Sequence, residues 1–446
     1  MSQLKSVITG YLPDERPTTG RLIAFALQQI LVMFPATVTV AVLTGFHVST
    51  TIFASGLATL GFILVTRGKI PLYYGSSFSY IAAITGITSG TMVNGIASDA
   101  AISAAQFGII MSGLVSIVAG LIVNRFGHAT IEKVLPATVT GSVAMVIGLS
   151  LAGTALTSAG TNELTGLIDP KAWIVALVTL TSTVLFSVYI KKGVLGQLPI
   201  LLGIIVGYLV SIPFGFIDFK SIFDANLISL PHFTLPRVDW SAVAAIMPIA
   251  IATIPESTAH LYQLDIYVND LAEKKQSPKR YKIADKLGLN LIGDGLGDII
   301  SSMFGGPAGT NYGENISTMA ITRNFSVYVL AGAAVITMGI SFFTPLTNIV
   351  TSIPLPVING ACIYLFGVIG AQGIAIMINK EVDLFEPRNL AVIAVILIIG
   401  IGGSFGFANG MIPTGINGVQ LPAIATAAVF GILFNALLSI KKPKTD

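Results

Sequence analysis

The sequence is poor in charge and has a single cysteine. Asp, Glu, Lys and Arg make up only 10% of the 446 residues, whereas 53% are hydrophobic. A soluble domain of this length needs more charged surface, so the composition excludes the ordinary soluble proteins. Cys362 stands alone in an apolar run, which excludes a disulfide within one chain and a multi-cysteine metal site. The first 20 residues are polar and include Pro13 and Pro17, so we expect no cleavable signal peptide.

What the sequence has instead is a succession of apolar runs. Many of them are long enough to cross about 30 Å of hydrocarbon. They predict an all-α polytopic membrane protein with fourteen membrane segments. The predicted segments are 22–44, 49–66, 71–88, 101–124, 134–156, 172–190, 197–216, 241–263, 287–304, 310–322, 325–345, 353–378, 389–403 and 420–440.

The placement of the basic residues agrees with this number of segments. If the N-terminus is cytoplasmic, all but three of the 24 Lys and Arg residues lie on the cytoplasmic side, the exceptions being Lys171, Lys220 and Arg237. Such an excess is typical of cytoplasmic loops. We therefore predict a multi-pass protein of the cytoplasmic membrane with both termini inside. The basic stretch 274–286 is then a solvated loop and not a nucleic-acid-binding surface.

The two halves of the chain resemble each other. Tyr74-Gly-Ser-Ser-Phe-Ser79 matches Tyr312-Gly-Glu-Asn-Ile-Ser317 in spacing. Both motifs lie in short, glycine-interrupted segments, the third and the tenth, and such a pair is the best sequence indicator of a transporter's binding site. Because each half has an odd number of segments, the second copy enters the membrane in the opposite sense, as an inverted repeat. The predicted division is a tail at 1–21, repeats at 22–216 and 241–440, an extracellular connection at 217–240 and a tail at 441–446.

Two acidic residues lie where a bilayer makes charge costly. Glu314 lies in the tenth segment and Glu256 late in the eighth, and a central acidic residue costs about 2.5–3.5 kcal/mol, which indicates a functional site. His260 follows Glu256 by four residues, so a helix would place both on one face. The alternative is that these residues are solvated at the interface, since Asp265 follows closely. A zinc site is disfavoured because no second His or Cys lies nearby.

The broken segments predict a particular set of hydrogen-bonding groups. Half-helices beginning near Ser76 and Glu314 would direct free N–H groups and positive dipole ends into one central space. The two glutamates add acceptors there, and this combination suits a planar, amide-like molecule with N–H and C=O edges. For the serine-rich stretch alone, close helix packing is an equally good interpretation. For Asp294 and Asp298, capping and interfacial solvation are favoured over a role in proton exit.

At these motifs the chain resembles the nucleobase:ascorbate transporter family over nearly its full length. The matching stretches are Met33-Phe34 with Ala36-Thr-Val38, Gly68-Lys-Ile-Pro71, Tyr74-Gly-Ser-Ser-Phe78, Glu256-Ser-Thr-Ala-His260, Tyr312-Gly-Glu-Asn315 and Met319-Ala-Ile-Thr-Arg323. The family signature, Gln, Glu or Pro followed by Asn-x-Gly-x4-Thr, falls on Glu314 through Thr322. Glu at its first position and His four residues after Glu256 are similar to the uracil branch.

The resemblance implies seven plus seven inverted segments arranged as a core and a gate domain. It also implies a proton symporter, often a homodimer, that needs no cofactor. Glu256 and Glu314 would hydrogen-bond the pyrimidine, and the backbone amides of Phe78 and Gly313 would meet its carbonyls. The same resemblance assigns further residues to the site: Ala36 and Ser77 to substrate binding, and His260, Glu314 and Asn315 to proton coupling.

Three positions depart from the family pattern. Ser317 stands where the signature has Gly, Pro35 where similar permeases have Gly, and Gln29 where they usually have His. Without that His, position 29 cannot contribute to coupling by protonation. The departures at 35 and 317 bear on the pocket and so on the substrate more than on the fold.

The sequence thus predicts a proton-coupled uracil importer and not an enzyme. A xanthine or other purine carrier of the same fold is the nearest alternative. An anion transporter is disfavoured by two pocket carboxylates without an intramembrane Lys or Arg. A membrane enzyme lacks support, because no nucleophile–base arrangement or metal cluster is present. The predicted partners are uracil, the proton, the lipid bilayer and a second copy of the chain.

Overall fold

The protein is mostly helical, as a computed structural model shows. The structure describes residues 10–93, 95–127, 133–161, 167–190, 195–217, 227–413, 415 and 420–440. The predicted tail at 441–446, residues 1–9 of the tail at 1–21 and residues 218–226 of the connection at 217–240 lie outside them. The helices are α1 Thr19–Thr44, α2 Val48–Val65, α3 Ile81–Thr88, α4 Asp99–Phe126, α5 Ala137–Ala159, α6 Pro170–Tyr189, α7 Pro199–Ser211, α8 Trp240–Ile246, α9 Ala250–Lys274, α10 Leu287–Met303, α11 Gly313–Thr322, α12 Val327–Ile340, α13 Thr344–Thr351, α14 Leu355–Asn379, α15 Pro387–Gly406 and α16 Ala423–Ile440.

Length and hydropathy make many of these helices suitable for a bilayer. Within the described part of the chain, eight helical stretches have the length and apolar composition needed to cross a membrane. Three further apolar helices are shorter, and the hydrophobic faces of several helices are exposed. A wide apolar surface on a helical protein of this composition belongs in lipid. The prediction of a multi-pass membrane protein is therefore confirmed at this level.

Two short strand pairs interrupt the helices. Strand β1, Tyr74–Ser76, pairs antiparallel with β2, Gly309–Asn311. Strand β3, Met411–Pro413, pairs with β4, Gln420–Pro422. The first pair joins the third and tenth predicted segments. The second pair was not predicted. The last segment was predicted to begin at 420, but residues 420–422 are extended and α16 begins at Ala423, directly after Pro422.

The helices pack into two groups. The first group contains α1–α4 and α8–α12, with α4 against α10, α2 against α12 and α1 against α12. The second group contains α5–α7 and α14–α16, with α5 against α14, α6 against α7 and α15 against α16. Each group takes helices from both halves of the chain. The strand pair β1–β2 lies in the first group, on α2 and α10.

The helix that carries Glu256 is longer than the apolar pattern predicts. A break at Met247–Ile249, which contains Pro248, separates α8 from α9. The predicted segment ends at 263, but α9 continues to Lys274. An exposed Asp270–Lys274 ion pair one turn apart, 2.6 Å long, adds about 0.3–0.5 kcal/mol to the stability of this charged end. Helix α9 thus begins in apolar surroundings and ends in a polar loop.

Candidate functional site

The strand pair brings the two glycine-interrupted motifs together. Tyr74 lies opposite Asn311, and Ser76 lies opposite Gly309. Because the strands run in opposite directions, the helices that follow them leave in opposite directions. The short 3-10 turn Phe78–Tyr80 leads into α3, and Gly313 begins α11. The N-terminal ends of both half-helices consequently lie next to the same strand pair.

The side chain of Tyr312 packs over Gly75, where the two motifs meet. The ring of Tyr312 lies where a Cβ atom on Gly75 would be, so no other residue fits position 75 without moving the ring. The Tyr312 hydroxyl donates to the Ser76 carbonyl at 2.9 Å and lies 3.0 Å from Thr37 Oγ1. This hydroxyl therefore connects the strand pair to α1.

A small cavity opens beside these half-helix ends. Its empty volume is about 260 Å³, which includes space that is open to solvent. The lining residues are Ser76, Phe78, Glu256, His260, Thr310, Asn311, Tyr312, Gly313 and Glu314.

Five of the eight predicted site residues line this cavity: Phe78, Glu256, His260, Gly313 and Glu314. The other three, Ala36, Ser77 and Asn315, lie outside the lining set. Ser77 is buried, and its amide donates to the Ala308 carbonyl at 2.9 Å. Ala36 packs with the apolar core around α1.

Four of the lining residues were not predicted from the sequence as site residues. Ser76 and Tyr312 belong to the repeated motif, but nothing in a linear pattern shows which of its side chains face a cavity. Thr310 and Asn311 precede the motif. The signal that could have found them is the strand pairing itself, because it sets residues 309–311 opposite 74–76.

The cavity is acidic. Glu256 is half-buried and accepts a hydrogen bond from Ser79 Oγ at 3.4 Å, and Glu314 is exposed to the open space. No Lys or Arg belongs to the lining set. Burial disfavours the charged form of a carboxylate, and two carboxylates facing one space disfavour it further. Such a pair has a strong tendency to bind donors or a proton.

His260 and Gly313 fit closely together. A Cβ atom on Gly313 would lie 2.8 Å from His260 Nε2. His260 Nδ1 is buried and has no hydrogen-bond partner. The imidazole therefore packs on the first residue of α11, one position before Glu314, and keeps one nitrogen available.

Asn315 is held by Gln29, one of the three residues that depart from the family pattern. Its Nδ2 donates to Gln29 Oε1 at 2.7 Å and to the Gln29 carbonyl at 3.0 Å. Gln29 is buried in α1. A side chain that cannot ionise thus connects α1 to the half-helix that carries Glu314.

The interpretation of Asp294 and Asp298 as solvated interfacial residues is wrong. Their exposed fractions are 7% and 2%. Asp298 accepts hydrogen bonds from the Tyr74 hydroxyl at 2.5 Å and from the Gly309 amide at 2.8 Å, and Asp294 accepts one from Ser257 Oγ. The sequence pattern missed this because α10 carries small glycines around both aspartates, which lets other helices cover them.

A larger depression lies elsewhere, between the polar end of α9 and the end of α11. Its empty volume is about 580 Å³, and Asp270, Lys274 and Arg323 are among its lining residues. Its lining contains a single carboxylate, that of Asp270, and no residue of the strand pair β1–β2. The smaller cavity is therefore the candidate functional site.

Comparison with known proteins shows the family of the chain. The family model described as "Permease family" matches residues 20–409. The uracil permease of Bacillus caldolyticus is 39% identical over 433 residues, covering 95% of this chain and 94% of that protein. The uracil permeases of Bacillus subtilis and Escherichia coli K12 are 35% and 34% identical, covering 95% and 97% of this chain and 93% and 95% of their own lengths.

Solved structures share the fold at much lower identity. The transmembrane domain of the cyanobacterium bicarbonate transporter BicA aligns with a TM-score of 0.58 at 14% identity, covering 94% of this chain and 97% of that one. The murine anion transporter Slc26a9 aligns with a TM-score of 0.61 at 13% identity, covering 96% of this chain and 69% of that one. The family resemblance predicted from the motifs is confirmed: the chain belongs to the Permease family, and the names of its relatives indicate a transporter.

Proposed function

We propose that this protein is a proton-coupled symporter that imports uracil across the cytoplasmic membrane. The observation that carries the proposal is one small cavity with two carboxylates and two half-helix N-termini. Among the described residues, the amides of Phe78 and Gly313 donate to no backbone acceptor. The cavity thus offers two free donors beside two acceptors.

Uracil is complementary to this set of groups. The ring presents two N–H donors and two carbonyl acceptors in one plane. Glu256, which is half-buried, would accept from ring N–H groups as the main anchor, and Glu314 would accept from the same edge. The amides of Phe78 and Gly313 would donate to the carbonyls, and Ser77, Ala36 and Asn315 would shape the surroundings. Hydrogen bonds to charged groups are worth about 1.5–3 kcal/mol each, so the carboxylates dominate recognition.

Two observations favour uracil over the alternatives. Relatives at 34–39% identity over most of their length are named uracil permease. The second observation is the lining of the cavity, which includes Glu256 and Glu314 and neither Lys nor Arg. Its acidic lining disfavours an anion, although the solved structures that share the fold include an anion transporter.

Proton coupling is proposed from the same geometry. Glu314 faces the open space, and His260 packs on the residue before it. A proton on Glu314 removes its repulsion with Glu256 in the same cavity and lets the half-helix move with bound substrate. We propose that Glu314 carries the proton inward, with His260 and Asn315 in the same hydrogen-bonding group.

The helix packing supports fourteen segments in two inverted repeats. In the two predicted repeats, α2 corresponds to α10 and α4 to α12, while α6 corresponds to α15 and α7 to α16. The contact of α4 with α10 therefore has its counterpart in that of α12 with α2, and the contact of α6 with α7 in that of α15 with α16. All four contacts occur. We propose that the first helix group is the core domain and the second the gate domain. A homodimer and cytoplasmic termini are proposed from the family resemblance and the basic residues.

Equilibrium binding to the purified protein tests the substrate. Uracil should bind wild type, and xanthine should not displace it. Glu256→Gln swaps an acceptor for a donor at the same size, which leaves a mismatch of about 1–3 kcal/mol and weakens binding roughly tenfold or more. Glu273→Gln, at the exposed end of the same helix, is the control. Uracil affinity within threefold of wild type in Glu256→Gln, or stronger binding of xanthine, would overturn the proposal.

Uptake into proteoliposomes tests the coupling. An inside-alkaline gradient should drive uracil accumulation in sodium-free buffer, and a protonophore should abolish it. Glu314→Gln, which resembles the protonated form, should lose accumulation while exchange remains. Accumulation that ignores the protonophore but collapses when sodium is withdrawn would disprove proton coupling and leave the binding assignment intact.

A further inference from the structure

A segment outside the transport cavity crosses one end of the first helix group. Residues 227–239, here called the strap, precede α8. Thr50 Oγ1 donates to the His232 carbonyl at 2.7 Å, and Gln106 Nε2 donates to the Thr234 carbonyl at 2.9 Å. Phe233 packs edge-on against Phe53, with ring centroids 5.2 Å apart. The strap is thereby fixed to both α2 and α4.

Three side chains with metal-binding atoms meet at this strap. His47 directly precedes α2, Asp99 is the first residue of α4, and His232 lies in the strap. His232 Nε2 is 3.0 Å from both carboxylate oxygens of Asp99, and the rings of His47 and His232 are 4.4 Å apart. The three ligand atoms lie within 4.8 Å of one another. This grouping has no part in the transport cavity.

We propose that His47, Asp99 and His232 form a site for a divalent transition-metal cation of the Zn²⁺ type. Ligands of one tetrahedral zinc ion lie about 3.3 Å apart, since Zn–N and Zn–O bonds are both near 2.0–2.1 Å. The 3.0 Å separation of His232 and Asp99 already corresponds to this spacing. His47, whose ligand atom lies within 4.8 Å of the others, has to approach by up to about 1.5 Å to reach this spacing.

The ligand set determines the class of ion. Two imidazoles and one carboxylate suit Zn²⁺, Ni²⁺ or Cu²⁺, whereas Mg²⁺ and Ca²⁺ take oxygen ligands almost exclusively. Three protein ligands leave a fourth position for water. The side chains of His232 and Asp99 are 51% and 62% exposed, so an ion can enter from solvent.

A bound ion would join three separate stretches of the chain. It would fasten the strap to the start of α2 and to the start of α4 at their shared end. Because the ion would bind the folded protein and not the dispersed ligands of the unfolded one, it would raise the stability of the fold by mass action. The site is thus a clamp on the end of the first helix group.

Calorimetric titration of Zn²⁺ into the purified full-length protein tests the proposal. Wild type should bind one ion per chain, and His47→Ala, His232→Ala and Asp99→Asn should each weaken binding by more than about tenfold. The sequence offers a matched control, because His128→Ala removes a histidine outside the described residues. Zn²⁺ binding should persist in that variant, and Mg²⁺ should not bind to wild type.

Thermal unfolding gives an independent measurement. Saturating Zn²⁺ should raise the Tm of wild type and of His128→Ala but not that of His232→Ala. The side chains of His232 and Asp99 are exposed, so variants at these positions should fold. They test the proposal even if His47→Ala fails to fold. The proposal is overturned if wild type shows no saturable binding, or if affinity is the same in His232→Ala and wild type. A simple His–Asp ion pair would give that result.

Discussion

At the scale of single residues, Gly313 is fixed by its neighbour. The space for its Cβ is taken by His260, 2.8 Å away, and Glu314 follows directly. Gly313→Ala should displace the imidazole or tilt the start of α11, and overpacking of this kind costs about 1–3 kcal/mol. We expect weaker uracil binding and a lower Tm.

Gly86→Ala in α3 is the matched control, because a Cβ there meets no atom within 4 Å. It should leave both quantities near wild type, or raise the Tm slightly through better helix propensity. Equal uracil binding in Gly313→Ala and Gly86→Ala would contradict the close fit of Gly313 and His260.

At the scale of elements, the strand pair β1–β2 depends on a buried aspartate. Asp298 accepts from the Tyr74 hydroxyl and from the Gly309 amide, one group from each strand. Tyr74→Phe removes one donor and leaves the carboxylate underbonded, which costs roughly 1–3 kcal/mol or more for a charged acceptor. We expect a lower Tm and faster hydrogen exchange in 74–76 and 309–311.

Tyr328→Phe provides the comparison, since the Tyr328 side chain is 47% exposed. It should change neither the Tm nor the exchange rates. Unchanged exchange in both strands of the Tyr74→Phe protein would show that Asp298 does not hold the pair.

The segment before α1 is fastened to the loop after α9 by charge. Asp14 pairs with Lys279 at 2.6 Å and accepts from the Tyr281 hydroxyl. Partial burial disfavours the charged carboxylate, but hydrogen bonds from Lys279 and Tyr281 outweigh it and hold the pKa of Asp14 below its ordinary value. This stabilisation is present above the unfolded-state pKa and is lost as pH falls through the folded one.

Hydrogen exchange in residues 10–18 checks this pH dependence. Protection should be constant near neutral pH and fall in acid, and Asp14→Asn should lower it at pH 7 by no more than about 1 kcal/mol, because the pair is half-exposed. Glu273→Gln should have no such effect. An acid-induced loss that persists unchanged in Asp14→Asn would assign it to other groups.

At the scale of the whole molecule, the basic residues predict which loops are cytoplasmic. Cys362 is the single cysteine of the sequence, so Cys362→Ala gives a background without thiols. In intact cells, an impermeant thiol reagent should label Leu230→Cys, 80% exposed in the strap, and should not label Arg280→Cys in the loop after α9. Labelling with the opposite preference would reverse the orientation, and labelling of both from outside would overturn the number of segments.

The membrane helices, the two pocket glutamates and the broken segments could be predicted from the sequence. Apolar runs have to lie in lipid, which gave the helices, and a carboxylate in such a run is costly, which gave Glu256 and Glu314. The spacing of the two Tyr-Gly motifs gave the broken segments. Each of these follows from local composition and from a period along the chain, and so it can be read from the sequence.

Contacts between distant segments were decided only by the tertiary structure. The pairing of 74–76 with 309–311, the burial of Asp294 and Asp298, and the bond between Gln29 and Asn315 each join residues far apart in the chain. The same is true of His47, Asp99 and His232. No local pattern encodes such neighbours, because which side chains meet depends on how whole helices pack. The sequence alone determined that the chain crosses the membrane and where its acidic residues lie; the packing determined which of them share a cavity.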